Sequence, residues 1–458
     1  MIKNYSWIYF GLYGLLNVLA ACHLVGMGTA AFCVTLMILI MLAVIPYKEL
    51  GAYFFACFPF YNILNAEMGT TSLFYFIIIG IFARVMLEEK EIELGKRVLI
   101  YFAIICCSLY NIYAPEAYIK WLLRLIPLIF FLKTGFMRDN ITGVMKKYIL
   151  SMLLSAIWGW IYLKAGVSLY TNSVIWVGYY QTVVRLAGLT GDSVFFGIQC
   201  VIAVALVGVL FFKGEIGKKT FIAVFCIFSI FIAISYAKTS QLSVVILATL
   251  WYLHWLWSKN KTYSFVIMNF FILAVVGALV VVGAYLIMTS DVAWFANMRM
   301  RLMDDDLLTG RKEIWDYYQR MIYGDYIYWI RGLGMAEYPQ EVAIASDKMV
   351  KFISRAHNVF LETILLAGII PALLIFAGGA YWMIKVYIKN KNIIYMTPCI
   401  ILILSGYSLH GHFEFLYYPE WLLALSVAMI PELSRGEKDD FIPEDDSLYQ
   451  GNKLPGGR

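Results

Sequence analysis

The residues best suited to chemistry stand where a polar stretch gives way to an apolar one. Arg355, His357, Asn358 and Glu362 close the water-compatible segment 289–356 and open a strongly apolar run. His357 is one of only five histidines. An imidazole there can accept or orient the proton of an attacking hydroxyl. The plainer reading of the same histidine is a polar tip among lipid headgroups. Asn358 and Glu362 are spaced i,i+4 and share one helix face. A carboxylate inside an apolar run is expensive unless paired or functional. Glu362 is therefore part of a site or the structural partner of a cation on a neighbouring helix.

Cations suited to an anion stand at four other places. Gly310, Arg311 and Trp315 fall in the same polar segment, where an amphipathic helix opens with Ile314, Trp315, Tyr318 and Ile322 on one face and Thr309 available as N-cap. A cation in a first helical turn opposes the helix dipole. Arg311 becomes favourable if an anion is shared between its guanidinium and the helix N-terminus; otherwise it snorkels to lipid phosphates. Arg185 precedes a Gly-rich turn ending at Asp192, and Lys238 falls in a tight turn over 237–241. Lys120 and Arg124, spaced i,i+4, share a face of one apolar run.

Two clusters look like metal sites and are weaker than they look. Asp304, Asp305 and Asp306 lack a nearby histidine or further carboxylate, and read as a solvated turn. His410, His412 and Glu414 do not form a recognisable zinc spacing and read as a pocket rim or helix end. The eight cysteines all lie in apolar runs, so neither a disulfide framework nor a C-x-x-C site is offered. No metal or other cofactor is expected.

The elements that must hold these residues are membrane helices. The chain of 458 residues is 62% hydrophobic and 14% charged, against roughly 25% charged in soluble domains, and its mean hydropathy is +0.75. Many apolar runs approach the ~20 residues that cross a bilayer. Fourteen candidate spans are 5–25, 29–46, 52–65, 73–87, 98–113, 117–132, 148–166, 192–212, 220–236, 240–257, 264–288, 358–386, 393–409 and 419–433. The first has no cleavage signal after it and reads as a retained helix. The third is short enough to be re-entrant, so the expectation is 12–14 transmembrane helices.

Every second connection is basic, as around Lys48, Lys96, Lys146, Lys218, Lys259 and Lys389, whereas loops 66–72 and 111–116 carry no Lys or Arg. The net charge of +6 is thus a matter of membrane topology, not of nucleic-acid binding. The same alternation puts both termini in the cytoplasm and segment 289–356 outside. The organisation is a bundle of about eleven spans over 1–288, a long extracytoplasmic loop over 289–356, C-terminal membrane helices over 357–433 and a disordered cytoplasmic tail over 434–458.

These residues resemble the O-antigen ligase and polymerase superfamily. The resemblance rests on Arg185 and Gly188 before a span, Gly310, Arg311 and Trp315 in the long loop, Gly332 and Gly334, and His357, Asn358, Leu361 and Glu362 leading into Gly368. It implies an all-α, GT-C-like polytopic membrane protein with one long outer loop, working as a metal-independent inverting glycosyltransferase in a bacterial inner membrane. The implied substrate is an undecaprenyl-diphosphate-linked oligosaccharide, with the lipid bilayer as surroundings and a chain-length regulator as a candidate partner. Arg185 and Arg311 would hold the diphosphate and His357 the acceptor hydroxyl. Arg355, Asn358, Glu362, Lys238, Lys120 and Arg124 would line the substrate.

The expected activity is polymerisation of polysaccharide repeat units for O-antigen, capsule or exopolysaccharide. The close alternative is the ligase that moves the glycan onto lipid A–core, as in lipopolysaccharide assembly. A lipid-linked oligosaccharide flippase is the alternative of another class, though it has no use for a long outer loop with an Arg helix and a His-Asn mouth. The topology is checked directly. A reporter active only in the cytoplasm should work when fused after Arg435 and be silent when inserted near Asp305; the reverse pattern contradicts the orientation.

Overall fold

The computed structural model describes residues 27–60, 67–68, 71–89, 95–110, 115–131, 140–165, 174–177, 181–190, 192–258, 263–302, 311–324, 326–334, 342–346, 349–353, 357–390, 392–407 and 418–430, with Met137 and isolated positions before 27. Helices overlap each apolar run from the second onward: α1 Met27–Val44, α2 Tyr47–Cys57, α3 Leu73–Glu88, α4 Lys96–Leu109, α5 Pro115–Phe131, α6 Ile141–Ala165, α7 Ser193–Phe212, α8 Lys218–Ile234, α9 Lys238–Ser258 and α10 Tyr263–Thr289. Segment 289–356 adds α11 Ala293–Leu302, α12 Arg311–Gly324 and α13 Tyr326–Ile330. The chain then continues through α14 Val359–Ala367, α15 Ile369–Asn390, α16 Thr397–Ser405 and α17 Tyr418–Ala428. Of the first expected span Trp7, Ile8, Phe10, Gly11, Gly14, Leu15, Val18 and Leu19 are described as helical, and the tail over 434–458 lies outside the described residues.

Helix α7 is the axis of the bundle. It is apolar on every face, and nine-tenths of it is enclosed by α6, α8, α9 and α16, as expected of a helix hydrophobic all round. At one end Lys213 Nζ donates to Thr142 Oγ1 at 2.8 Å and Lys146 Nζ meets Glu215 Oε2 at 3.0 Å. At the other, Leu189 N donates to Ser155 Oγ at 3.0 Å, and Leu186 N to Ile234 O at 3.3 Å.

Helix α10 is the opposite case, with Phe270, Phe271 and Val281 all more than two-thirds exposed. Such a surface would drive association in water and is at rest against acyl chains. Among the described residues four helices are long and apolar enough to cross a membrane: Ile141–Ala165, Ser193–Phe212, Val266–Thr289 and Ile369–Lys389. Shorter apolar helices cover Phe32–Val44, Leu99–Leu109, Ile393–Ser405 and Pro419–Ala428. The protein is an α-helical membrane protein.

Two expectations change. The run 358–386 is not one helix but α14 and α15, broken at Gly368, whose φ is +82°. The break has a partner. Leu333 N donates to Leu365 O at 2.7 Å and Gly334 N to Leu366 O at 2.8 Å, satisfying carbonyls that the end of α14 leaves open. A Cβ on Gly368 would run into the Ile330 carbonyl, and one on Gly332, at φ +73°, into that of Leu366. Segments expected as plain loops also hold antiparallel hairpins, Val174–Val177 with Gln181–Val184 and Val342–Ser346 with Met349–Ile353. Alternating apolar residues such as Val342, Ile344 and Val350 are the period-2 signal for the second.

Segment 289–356 is held at two further points. The face foreseen on α12 is buried: Ile314, Tyr318 and Ile322 form one cluster with Leu365 of α14, flanked by Trp315, Leu361 and Ile364. Burying each such side chain contributes about 1.5–3 kcal/mol. Helix α11 packs Trp294, Met298 and Met300 around Tyr236 at the corner between α8 and α9.

The glycine contact can be tested. Gly368→Ala and Gly332→Ala should each destabilise the fold by more than about 1 kcal/mol, because a non-glycine in the left-handed region already costs of order 1–3 kcal/mol before any clash. Thermal unfolding of the purified protein in detergent would register a lowered midpoint; wild-type midpoints in both variants would show that the docking is dispensable.

Candidate functional site

The site begins at the mouth of α14. Asn358 is the N-cap: its Oδ1 accepts from Phe360 N at 2.9 Å and Leu361 N at 3.2 Å. That oxygen is therefore taken by the cap, a role the i,i+4 pairing with Glu362 did not foresee. His357, half-buried just before it, has φ +47°, a left-handed conformation costly for a side chain of this size. Val359 N donates to Gly406 O at 2.8 Å, tying the mouth to the end of α16. One turn further in, Glu362 is 2% exposed. A carboxyl so enclosed holds whatever position its surroundings give it.

Below the mouth lies an apolar chamber of about 590 Å³. Val359, Phe360 and Gly406 form its wall nearest His357, and Trp121, Phe376 and Trp421 its flanks. Phe360 packs against Phe376 and Tyr407, with ring centroids 4.8 and 5.1 Å away. The chamber offers almost nothing polar, so its natural content is hydrocarbon.

A second group stands where α8 turns into α9. Arg185 is 7% exposed, and its Nε donates to Ser235 O at 2.8 Å, which fixes the plane of the guanidinium. Lys238, expected in a turn, is instead the first residue of α9, three positions after Ser235. The fold therefore brings Arg185 and Lys238 to one corner, the corner on which α11 rests. The Gly-rich turn after Arg185 ends in a cap, with Asp192 Oδ1 accepting from Val194 N at 2.7 Å and Phe195 N at 3.1 Å. Asp followed by an apolar run was the legible sign of it.

Arg311 is the first residue of α12, as expected, and α12 lies along α14. Lys120 is engaged elsewhere, its Nζ 2.7 Å from Glu116 Oε1. Arg124 falls one turn later on α5, whose Trp121 packs against Leu366 and Ala367 of α14. Arg355, Thr309, Gly310, Asp304, Asp305, Asp306, His410, His412 and Glu414 lie outside the described residues. Among the described residues no three His, Cys, Asp or Glu side chains converge as a metal-binding group.

The described residues thus give two polar stations, an arginine–lysine corner and a histidine mouth over an apolar chamber, with segment 289–356 touching both. No protein-family model, curated protein or solved structure matches this chain.

If the corner and α12 grip an anion through planar forks, lysine should not replace arginine. Arg185→Lys and Arg311→Lys should each lose most activity at normal membrane abundance, whereas Lys120→Gln, breaking only an exposed pair, should keep it. Near-wild-type turnover in both lysine variants would reduce these arginines to anchors.

Proposed function

We propose that this protein is a polysaccharide repeat-unit polymerase: a GT-C-like, metal-independent inverting glycosyltransferase of a bacterial inner membrane. On this reading the chain crosses the membrane 12–14 times with both termini in the cytoplasm. The site faces outward, toward undecaprenyl-diphosphate-linked glycans. The observation that carries the reading is the adjoining of His357 to a hydrocarbon-like chamber, with cationic groups on the elements that the outer segment touches. A lipid-linked diphosphate needs all three: an apolar berth, charge to neutralise the leaving group, and a proton acceptor for the incoming sugar.

In the proposed step a hydroxyl on the non-reducing sugar of one lipid-linked repeat attacks the anomeric carbon of the growing chain. The new glycosidic bond forms as the bond to the diphosphate breaks, with inversion. The hydroxyl proton passes to His357. The charge appearing on the diphosphate is met by Arg185 and Arg311, which supply the electrostatic stabilisation a metal would otherwise give.

Two measurements on purified enzyme with lipid-linked repeats bear on this. Transfer should proceed in excess EDTA, and His357→Ala should lose at least about 100-fold in rate while binding the donor normally, since removing a general base typically costs 10²- to 10⁴-fold. Strict dependence on a divalent ion, or a His357→Ala rate above about a tenth of wild type, contradicts the roles assigned.

A further inference from the structure

Glu420 stands near the start of α17 with no exposure to solvent. Its two oxygens have different surroundings. Oε1 accepts from Gln199 Nε2 at 2.8 Å and lies 3.4 Å from the Tyr148 hydroxyl that donates to it. Oε2, equally buried, receives no hydrogen bond among the described residues. Gln199 presents the complementary oddity: its amide nitrogen is used, while its buried Oε1 has no donor. A carboxylate can only accept, and would leave both Oε2 and Gln199 Oε1 without a donor. A carboxylic acid behaves as these atoms do: one oxygen gathers donors, the other carries a hydrogen and seeks an acceptor. A proton on Oε2 would give that oxygen a hydrogen to donate, and the orphan acceptor Gln199 Oε1 belongs to the side chain already bonded to Oε1.

Among the described residues no cation is paired with Glu420. On α6, Lys146 is turned to Glu215 and Lys147 lies over the Trp7 ring. Cys200 on α7, Cys399 on α16 and Tyr395 in the turn Ile393–Met396 are neutral side chains. On α5, Glu116 and Lys120 pair with each other, and Arg124 is the remaining charged residue. An ionised carboxylate in such a place would be far more costly than a neutral acid.

We propose that Glu420 and Gln199 form a buried proton-binding site, in which the neutral acid pins α17 to α7 with Tyr148 of α6 as a third contact. The next residue, Trp421, is a wall of the apolar chamber, and α17 packs on α16, whose end holds the histidine mouth through Gly406. Removing the proton leaves a buried negative charge whose Oε2 has no donor among the described residues. Raising the pH therefore loosens the α17 wall. The inference does not depend on the glycan chemistry proposed above.

The test uses the full-length protein in lipid nanodiscs. Infrared spectra at neutral pH should show a protonated-carboxyl C=O band that Glu420→Gln lacks. Raising the pH should convert that band to carboxylate and lower the thermal unfolding midpoint of the wild type. Glu420→Gln, an isostere of the neutral acid, should keep the neutral-pH midpoint and lose its pH dependence, whereas Glu420→Ala should be destabilised at every pH. The proposal is overturned if Glu420 contributes only carboxylate bands at neutral pH, or if its state follows sodium concentration, which would mean a metal cation in place of the proton. It is equally overturned if Glu420→Gln unfolds as readily as Glu420→Ala.

Discussion

The arrangement depends on a backbone contact. Where α14 ends at Gly368, its last carbonyls are taken by Leu333 N and Gly334 N from segment 289–356. An open helix end inside an apolar structure leaves several polar groups without partners, each worth roughly 1–3 kcal/mol if left so. Segment 289–356 supplies those partners and is itself fixed by doing so. From Leu333 the chain runs back through α13 to α12 and Arg311, and from Leu365 it runs back along α14 to Asn358 and His357. Only glycine allows the approach, because a Cβ at 332 or 368 would occupy the opposite carbonyl.

The same contact explains why a chain so apolar keeps a long polar segment. Water-compatible residues placed over the bundle gain little unless they are held, and here α12 is held by its buried face and α11 by Tyr236. The two footings lie beside the arginine–lysine corner and the histidine mouth. A site that joins an anionic leaving group to an acceptor sugar needs those two functions at fixed separation, since a small misplacement costs heavily in rate.

Much of the helical framework was legible because apolar runs in a membrane protein are long and their ends are marked by charge. The buried face of α12 followed from its spacing of Ile314, Tyr318 and Ile322, and Arg311 fell at the helix start as expected. The break at Gly368 was not legible: a glycine within an apolar run is common in membrane helices, and the reason for the break lies some thirty-five residues away in sequence, at Leu333 and Gly334. Asn358 was read for chemistry when its oxygen was needed by the backbone. Lys238 was read into a turn over 237–241, whereas the corner lies at 235–237 and the helix already begins at Lys238. Glu420 was passed over although a carboxylate at the head of an apolar run is itself a signal; its partners Gln199 and Tyr148 come from distant helices, and only the fold joins them.

The central claim is that the protein makes a glycosidic bond at the outer mouth, using a lipid-linked diphosphate as donor. Its most direct test is reconstitution of the purified protein in vesicles with an undecaprenyl-diphosphate-linked repeat unit, followed by separation of the products by size. A ladder of longer glycans, with undecaprenyl diphosphate released in step with each added repeat, is the predicted result. Movement of the intact lipid-linked repeat across the bilayer, with no new bond and no released diphosphate, would contradict it.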